Sequence, residues 1–578
     1  MTRVSLKITG AQGQGVNSVG ELCAKGLKRA GYCVFGYREY MSLIKGGHSS
    51  YQLDISDTEI RSTETNVDIL VCFNHHGLKK NLREVKQGGI ILHQTSNVQL
   101  EGEDQQFIED RKITILELPT EKILKELKAP PILGNTLLTS VVWSLLGQER
   151  ASLEELIRER FGRKGERVLQ MNLSCIEQGL VFLEEQKKRT HVVLSEPKEE
   201  WKNHMLLTGS QAMGLGTIHA GCRVFAGYPM TPSSPLLTFI ADIQNRTGMV
   251  VKQAEDEITA VQMTLGAMHM GTRAMTTTSG GGYDLMTETV SLAGISETPL
   301  VIALAQRPGP GTGLPTWTAQ GDLLLAVNSS HGELPRLVLS VSDAADSFSL
   351  MPEAFNYAEE YQMPVIILTE KQIAEALYTQ SSFDQKSTEL RRGKLLTDAQ
   401  NVKGQDRYDP SVEDGISQRW LPGTEAETYC GQSYEHSPDG SFDETSQNAK
   451  DQAEKRMRKM DTLKQKLPEP ELFGAADPEV LFVGWGSTKG AVLDAIEIGK
   501  GEKVGYLHYT YLWPLKTDKF VALSKQAKKV VLIEGNQQGQ LGMLLKQECG
   551  IDIPDKILKY DGRPFFIDEI ISALEDHV

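Results

Sequence analysis

Apolar and polar positions alternate with period two along Val4-Ser5-Leu6-Lys7-Ile8-Thr9, the pattern of a half-buried strand. Gly10-Ala11-Gln12-Gly13-Gln14-Gly15 breaks that pattern, and apolar positions then recur at helical spacing to about Ala30. Further strand candidates at 33–37, 50–55, 68–73, 89–93 and 112–117 alternate with helix-like runs, as in an α/β domain with a mostly parallel sheet, followed by amphipathic helices over 135–146 and 152–160. The polar stretch 187–202, which carries Pro197, reads as a linker and sets a first α/β domain at 1–195. A second α/β domain over 203–381 starts with another Gly-rich turn, 209–216, and continues through strands at 223–226, 250–254, 273–278, 299–305 and 364–369. Between 382 and 470 periodicity fades into turn signals and a charged helix-like run, 450–464, which predicts a polar connector. Strands at 480–483, 501–508 and 529–533 with a terminal helix, 568–577, make a third α/β domain over 471–578.

Three α/β domains suit a chain of 578 residues, and that length excludes a single small binding module. With 61 Lys and Arg against 76 Asp and Glu, the net charge of −15 argues against nucleic acid as a partner. No apolar run is long enough for a membrane span and the first residues do not read as a secretory leader, so a cytoplasmic protein is expected. The seven cysteines at 23, 33, 72, 175, 222, 430 and 549 contain no Cys-x-x-Cys pair, so no metal site is expected on this chain.

The candidate chemistry concentrates where strands end. Gly10-x-x-Gly13-x-Gly15 follows a strand but lacks the dinucleotide spacing, which leaves both a structural turn and an anion-contacting loop open. Gly227-Tyr228-Pro229-Met230-Thr231-Pro232-Ser233-Ser234 joins a strand to a helix, with hydroxyls suited either to capping or to an anion. Glu255-Asp256-Glu257 opens a helix whose apolar positions are Ile258, Val261, Leu265 and Met268. Thr276-Thr277-Thr278-Ser279 runs into a glycine turn, Gly280-Gly281-Gly282. Gln306-Arg307-Pro308-Gly309-Pro310-Gly311-Thr312-Gly313 holds an arginine on stiff backbone at a strand end, where α/β sheets place their ligands.

In this order the motifs resemble the alpha subunit of 2-oxoacid:ferredoxin oxidoreductases, of the 2-oxoglutarate synthase type. Gly10–Gly15 and Lys45-Gly46-Gly47-His48 resemble that family's gamma domain fused in front. The resemblance implies a Rossmann-like gamma domain, a pyrimidine-binding domain of the thiamine diphosphate type and a domain like the transketolase C-terminal one. Met230 and Gly311 stand where the family usually has Ile and Ser.

The implied reaction is oxidative decarboxylation of 2-oxoglutarate with coenzyme A to succinyl-CoA and CO₂, with ferredoxin taking the electrons, or the reverse as CO₂ fixation. Pyruvate and branched-chain 2-oxoacids stay open as substrates. A nucleotide-binding scaffold of Rossmann-type domains and an NAD-dependent dehydrogenase stay open as other classes of function. The chain lacks Gly-Asp-Gly, so the resemblance assigns Mg²⁺, the 4Fe–4S cluster and the diphosphate grip to a beta subunit, with thiamine diphosphate shared at the interface and a dimer of alpha–beta units as the assembly. By position, Glu257 matches the glutamate that bonds the aminopyrimidine, and Pro229 and Thr278 belong to the same cofactor site. Thr231 and Arg307, with Tyr228 beside them, match the groups that bind the 2-oxoacid. Lys45 and His48 are open between a solvated loop and contacts to a distal carboxylate or coenzyme A. Glu435-His436, Asp439-Gly440 and Glu534-Gly535-Asn536 carry no expected catalytic role.

Overall fold

The computed structural model describes residues 3–94, 100–186, 192–386, 388–425, 427–499 and 502–577. The expected linker lies partly outside these, at 187–191. The chain divides into two compact units, the first made of 1–207, 376–382 and 566–569, the second of 208–375, 383–565 and 570–578.

The first unit is built on an eight-stranded sheet. Its order is Thr114–Glu117, Val85–His93, Val67–Cys72, Val4–Gln12, Gly46–Ser56, Cys33–Tyr40, Leu377–Gln380, Met205–Thr208. The alternating apolar side chains of the opening strand, Leu6 and Ile8, are fully buried and share a core with Leu27 of the following helix, Val16–Ala30, and with Val141 and Trp143 of the helix Gly134–Leu145. The sheet is parallel across its first four strands. Gly46–Ser56 runs antiparallel to both Val4–Gln12 and Cys33–Tyr40, so the expectation of a mostly parallel sheet is corrected here. The short loop 41–45 joins Cys33–Tyr40 to Gly46–Ser56 as a hairpin, for which no crossover helix is needed. Leu377–Gln380, assigned by sequence to the second domain, adds antiparallel to Cys33–Tyr40 instead, with Thr379 Oγ1 accepting from Val34 N at 2.9 Å.

The second unit holds two sheets. Six parallel strands run in the order Leu337–Ser340, Pro364–Glu370, Leu300–Gln306, Ala274–Thr278, Val224–Gly227, Val250–Gln253, and Tyr511–Trp513 closes the first edge antiparallel. The other sheet has the order Glu471–Gly474, Val504–Tyr509, Val480–Trp485, Lys529–Glu534, Asp555–Leu558. One core spans both, joining Val290, Leu304 and Val338 to Leu481, Leu507 and Leu532. Polar contacts join them too: Gln320, fully buried, accepts from Gly535 N at 2.6 Å and donates to Trp485 O at 2.8 Å.

Two glycine runs read as turns are the starts of helices. Gly209–His219 is helical, and a side chain at Gly209 or Gly216 would meet the carbonyl oxygens of Ile373 (2.1 Å) or Phe348 (2.4 Å). Gly280–Ile295 begins at the first of its three glycines, with Ser279 as N-cap. In both, glycine serves close approach in a helix rather than a change of chain direction.

The stretch 382–470 is also more ordered than its composition suggests. It ends in the helix Ser446–Lys466, whose Lys455 and Lys459 are buried and both ion-pair with buried Glu297. Burial alone would raise the Glu297 carboxyl, but Lys455, Lys459 and Arg407 together outweigh it and hold the group well below its ordinary range.

Candidate active site

Four adjacent parallel strands bring the motifs together. Leu300–Gln306, Ala274–Thr278, Val224–Gly227 and Val250–Gln253 are in register, with Thr278 opposite Leu304, Thr277 opposite Gly227 and Gly227 opposite Gln253. Arg307, Ser279, Tyr228 and the turn before Glu257 therefore leave the sheet from one edge, the carboxyl ends of its strands.

Asp256 has extended backbone and caps the helix Glu257–His269, its Oδ1 accepting from Thr259 N at 2.7 Å. This frees Glu257, in the first turn, to point inward, and the residue is 4% exposed. Its carboxylate makes no hydrogen bond or ion pair with any described residue. Of the four apolar positions expected on this helix, Val261, Leu265 and Met268 are buried, but Ile258 is 48% exposed. Glu255 is on the surface.

Thr278, fully buried, meets Glu257 across the neighbouring helix start. A Cβ on Gly282 would stand 2.1 Å from Thr278 Oγ1 and 2.7 Å from Glu257 Oε1, so only glycine allows both side chains to reach this turn. Thr278 Oγ1 also approaches Met230 Sδ at 4.0 Å, which ties the strand end to the loop bearing Tyr228 and Thr231. Ser279 Oγ, at the N-cap of Gly280–Ile295, is buried with no partner.

Arg307 and Thr231 are also brought together. Arg307 Nη1 donates to the Thr231 carbonyl at 2.6 Å, and among the described residues the guanidinium has no ion pair within 4 Å. Behind it the Pro-Gly loop closes on itself, with Leu314 N donating to Pro308 O at 3.0 Å and Gly313 at φ 52° pressed against that carbonyl. Tyr228, 36% exposed, and Pro229 flank the cluster at the surface. Ser233 Oγ does not cap the next helix, since it donates back to Met230 O at 2.7 Å.

Asp322 is a member of this cluster that the motifs did not single out. Its backbone N donates to Gln306 Oε1 at 3.0 Å, and its Oδ2 would lie 2.8 Å from a Cβ on Gly280. Burial, reinforced by Asp284, pushes its carboxyl up to about 6, and nearby Arg307 opposes that rise. The signal available in the sequence was its place at the end of the loop that Arg307 begins.

The other marked residues fall elsewhere. In the first unit Lys45 is exposed on the hairpin loop, whereas His48 is buried with both ring nitrogens unpartnered. Burial, with Lys80 adding, pushes its imidazole down to about 4. Gly13 and Gly15, at φ 89° and 100°, carry the chain into the helix Val16–Ala30, beside a cleft of about 430 Å³ lined by Asn17, Ser18, Arg38 and Asn135. In the second unit Glu435 pairs with Arg456 at 2.7 Å, His436 packs on Tyr408 and Asp439 accepts from the turn at Ser441. Glu534 accepts from Trp485 Nε1, Asn536 Nδ2 and Leu541 N inside the third sheet region.

Comparisons with known proteins give the family. A family model described as pyruvate flavodoxin/ferredoxin oxidoreductase, thiamine diphosphate-binding, matches residues 215–461, and the pyruvate ferredoxin/flavodoxin oxidoreductase model matches 5–182. The first match runs through most of the stretch read as a connector. A 2-oxoacid:ferredoxin oxidoreductase subunit alpha from Sulfolobus is 31% identical over 99% of this chain and 96% of its own length. The 2-oxoglutarate oxidoreductase subunit KorA of Mycobacterium tuberculosis is 29% identical over 91% of this chain and 83% of its own. Among solved structures, 2-oxoglutarate:ferredoxin oxidoreductase from Magnetococcus marinus, with 2-oxoglutarate, coenzyme A and succinyl-CoA bound, superposes with a TM-score of 0.92 at 29% identity, covering 100% of this chain and 99% of that one. The chain belongs to the 2-oxoacid:ferredoxin oxidoreductase family.

Proposed function

We propose that this subunit serves the oxidation of 2-oxoglutarate to succinyl-CoA, with Glu257 as its acid–base residue and Arg307 as its grip on the substrate. The observation that carries the reading is the uncommitted Glu257 carboxylate, buried beside Thr278 at the common edge of four strands. A buried carboxylate without a partner among the described residues suits a group that exchanges a proton with a ligand.

Thiamine diphosphate, when bound, supplies an electron sink for decarboxylation. Glu257, Thr278 and Pro229 would hold its pyrimidine side, with Glu257 keeping or releasing a proton at a ring nitrogen. The unpartnered Ser279 hydroxyl and the open space over Gly281, where a Cβ would meet no heavy atom within 4 Å, fit a polar ring against this turn. Arg307, steadied by the Thr231 carbonyl, presents its remaining N–H groups to the substrate carboxylate, and the Thr231 hydroxyl and Tyr228 line the same place. Asp322 limits the excess positive charge beside Arg307.

Mg²⁺, the 4Fe–4S cluster and the reduction of ferredoxin fall to a beta subunit, in a dimer of alpha–beta units. Ile258 and Leu285, exposed on the two helices that start at the site, offer an apolar surface for that subunit. Coenzyme A is assigned to the first unit, where the uncapped start of Val16–Ala30 and Arg38 suit a diphosphate. The preference for 2-oxoglutarate is supported by the names of the mycobacterial and magnetococcal relatives.

The test is to purify the chain with its partner and compare 2-oxoglutarate, pyruvate and branched-chain 2-oxoacids with coenzyme A and methyl viologen. The highest kcat/KM is expected for 2-oxoglutarate. A preference for pyruvate would overturn the substrate, and no reduction with any 2-oxoacid would overturn the role of the site.

A further inference from the structure

A buried excess of positive charge lies in the second unit, formed largely by residues of the polar stretch. Arg273, Arg419, Arg407, Lys455 and Lys459 are each at most 5% exposed, and the buried carboxylates facing them are Glu359 and Glu297. Glu359 pairs with Arg273 at 2.8 Å and with half-exposed Arg392 at 2.9 Å, so Arg419 reaches it only at 3.8 Å. Glu297 is taken by Lys455 and Lys459, and Arg407 reaches its backbone carbonyl through Nη2 at 2.8 Å and sits over the Tyr408 ring, 4.7 Å from its centroid.

The two arginines left over meet around Tyr429, whose hydroxyl donates at 3.3 Å to the carbonyl of Trp420, the residue after Arg419, and whose ring faces the Arg407 guanidinium; Arg407 disfavours the charge on Arg419. Five of their nitrogens, Nε and Nη1 of Arg407 and Nε, Nη1 and Nη2 of Arg419, are buried without a hydrogen-bond partner among the described residues. Burial and Arg407 push the Arg419 guanidinium down to about 10, yet arginine does not shed its proton in proteins. His269, which faces the same pair, is itself pushed down by burial and by both guanidiniums, so it is a neutral wall rather than a further cation. Tyr429 lies 5.7 Å from the Arg407 guanidinium carbon and completes that wall. A buried charge of this kind needs a counter-charge with hydrogen-bond acceptors.

We propose that Arg407 and Arg419 together bind one small inorganic anion of chloride size inside the second unit. The enclosure of all five nitrogens favours a monatomic anion over a phosphate ester, which would need an opening for its organic part. The site is separate from the cluster around Glu257 and does not depend on the assignment of the substrate.

The experiment uses the full chain with its partner subunit, purified and crystallised with bromide replacing chloride throughout. An anomalous scattering peak between Arg407 and Arg419 is expected. Melting of the same complex should rise saturably by about 2–4 °C when sodium gluconate is replaced by chloride at constant ionic strength, as for a ligand bound only by the folded state. Arg419→Gln should abolish that rise. If the variant does not fold, the bromide map of the unaltered protein still decides. Water-like density with no anomalous peak, or density for a larger oxyanion, would overturn the proposal.

Discussion

Glu257 and Glu297 are both buried in the second unit and both stand beside a helix end, yet they have opposite surroundings. Glu297 is enclosed by Lys455 and Lys459 of a distant helix, and its charge is spent inside the chain. Glu257 is next to a threonine, a glycine and exposed apolar side chains, with no cation of its own. The first arrangement holds a segment in place. The second leaves a carboxylate whose protonation a bound ligand can set. Burial alone does not separate structural from functional acids, whereas the presence of a partner in the same chain does.

The largest expected effect is on Glu257. Glu257→Gln keeps the shape but not the titration, so viologen reduction should fall by about 10²–10⁴-fold with little change in melting temperature. Retained activity would remove the contrast. For Glu297 the reverse holds: Glu297→Ala strands two buried ammonium groups and should lower stability by about 3–5 kcal/mol in urea unfolding. The triple variant Glu297→Leu, Lys455→Met, Lys459→Met should recover much of that loss, because no charge is left unpaired. A smaller effect is expected at Arg307, where Ala should raise the KM for the 2-oxoacid by roughly 1.5–3 kcal/mol, about 10–150-fold, with kcat less affected. The finest test is pH. Glu297 has a depressed pKa in the folded chain, so its contribution is complete above its unfolded value of 4.5 and is lost as pH falls below it. Burial lowers Lys455 and Lys459, and Glu297 is what opposes that fall, so the stability gap between the unaltered protein and Glu297→Gln should widen from pH 7 to 5 and narrow again in more acidic solution.

Much of this was legible in the sequence wherever apolar runs mark strands. The segments read at 273–278, 299–305 and 364–369 lie within one or two residues of Ala274–Thr278, Leu300–Gln306 and Pro364–Glu370. Order along the chain then sufficed to bring Thr231 and Arg307, or Thr278 and Glu257, to one place. The burial of 382–470 was not legible, because Lys455 and Lys459 look solvated until Glu297, in another segment, is placed against them. Nor was the direction of Gly46–Ser56, since period two is the same in parallel and antiparallel pairs. The glycines at 280–282 were misread for a related reason: what they make room for, Thr278, Glu257 and Asp322, is brought there by tertiary folding.

The strand Leu377–Gln380 bears on any attempt to divide this polypeptide. The first sheet receives its last two strands from beyond residue 200, and one of them only after most of the seven-stranded sheet has been synthesised. A fragment cut at 195 would carry the unpaired margin of Cys33–Tyr40 into solution, a template for self-association. Covalent continuity here protects against aggregation, and a workable split gene would have to supply that border in trans.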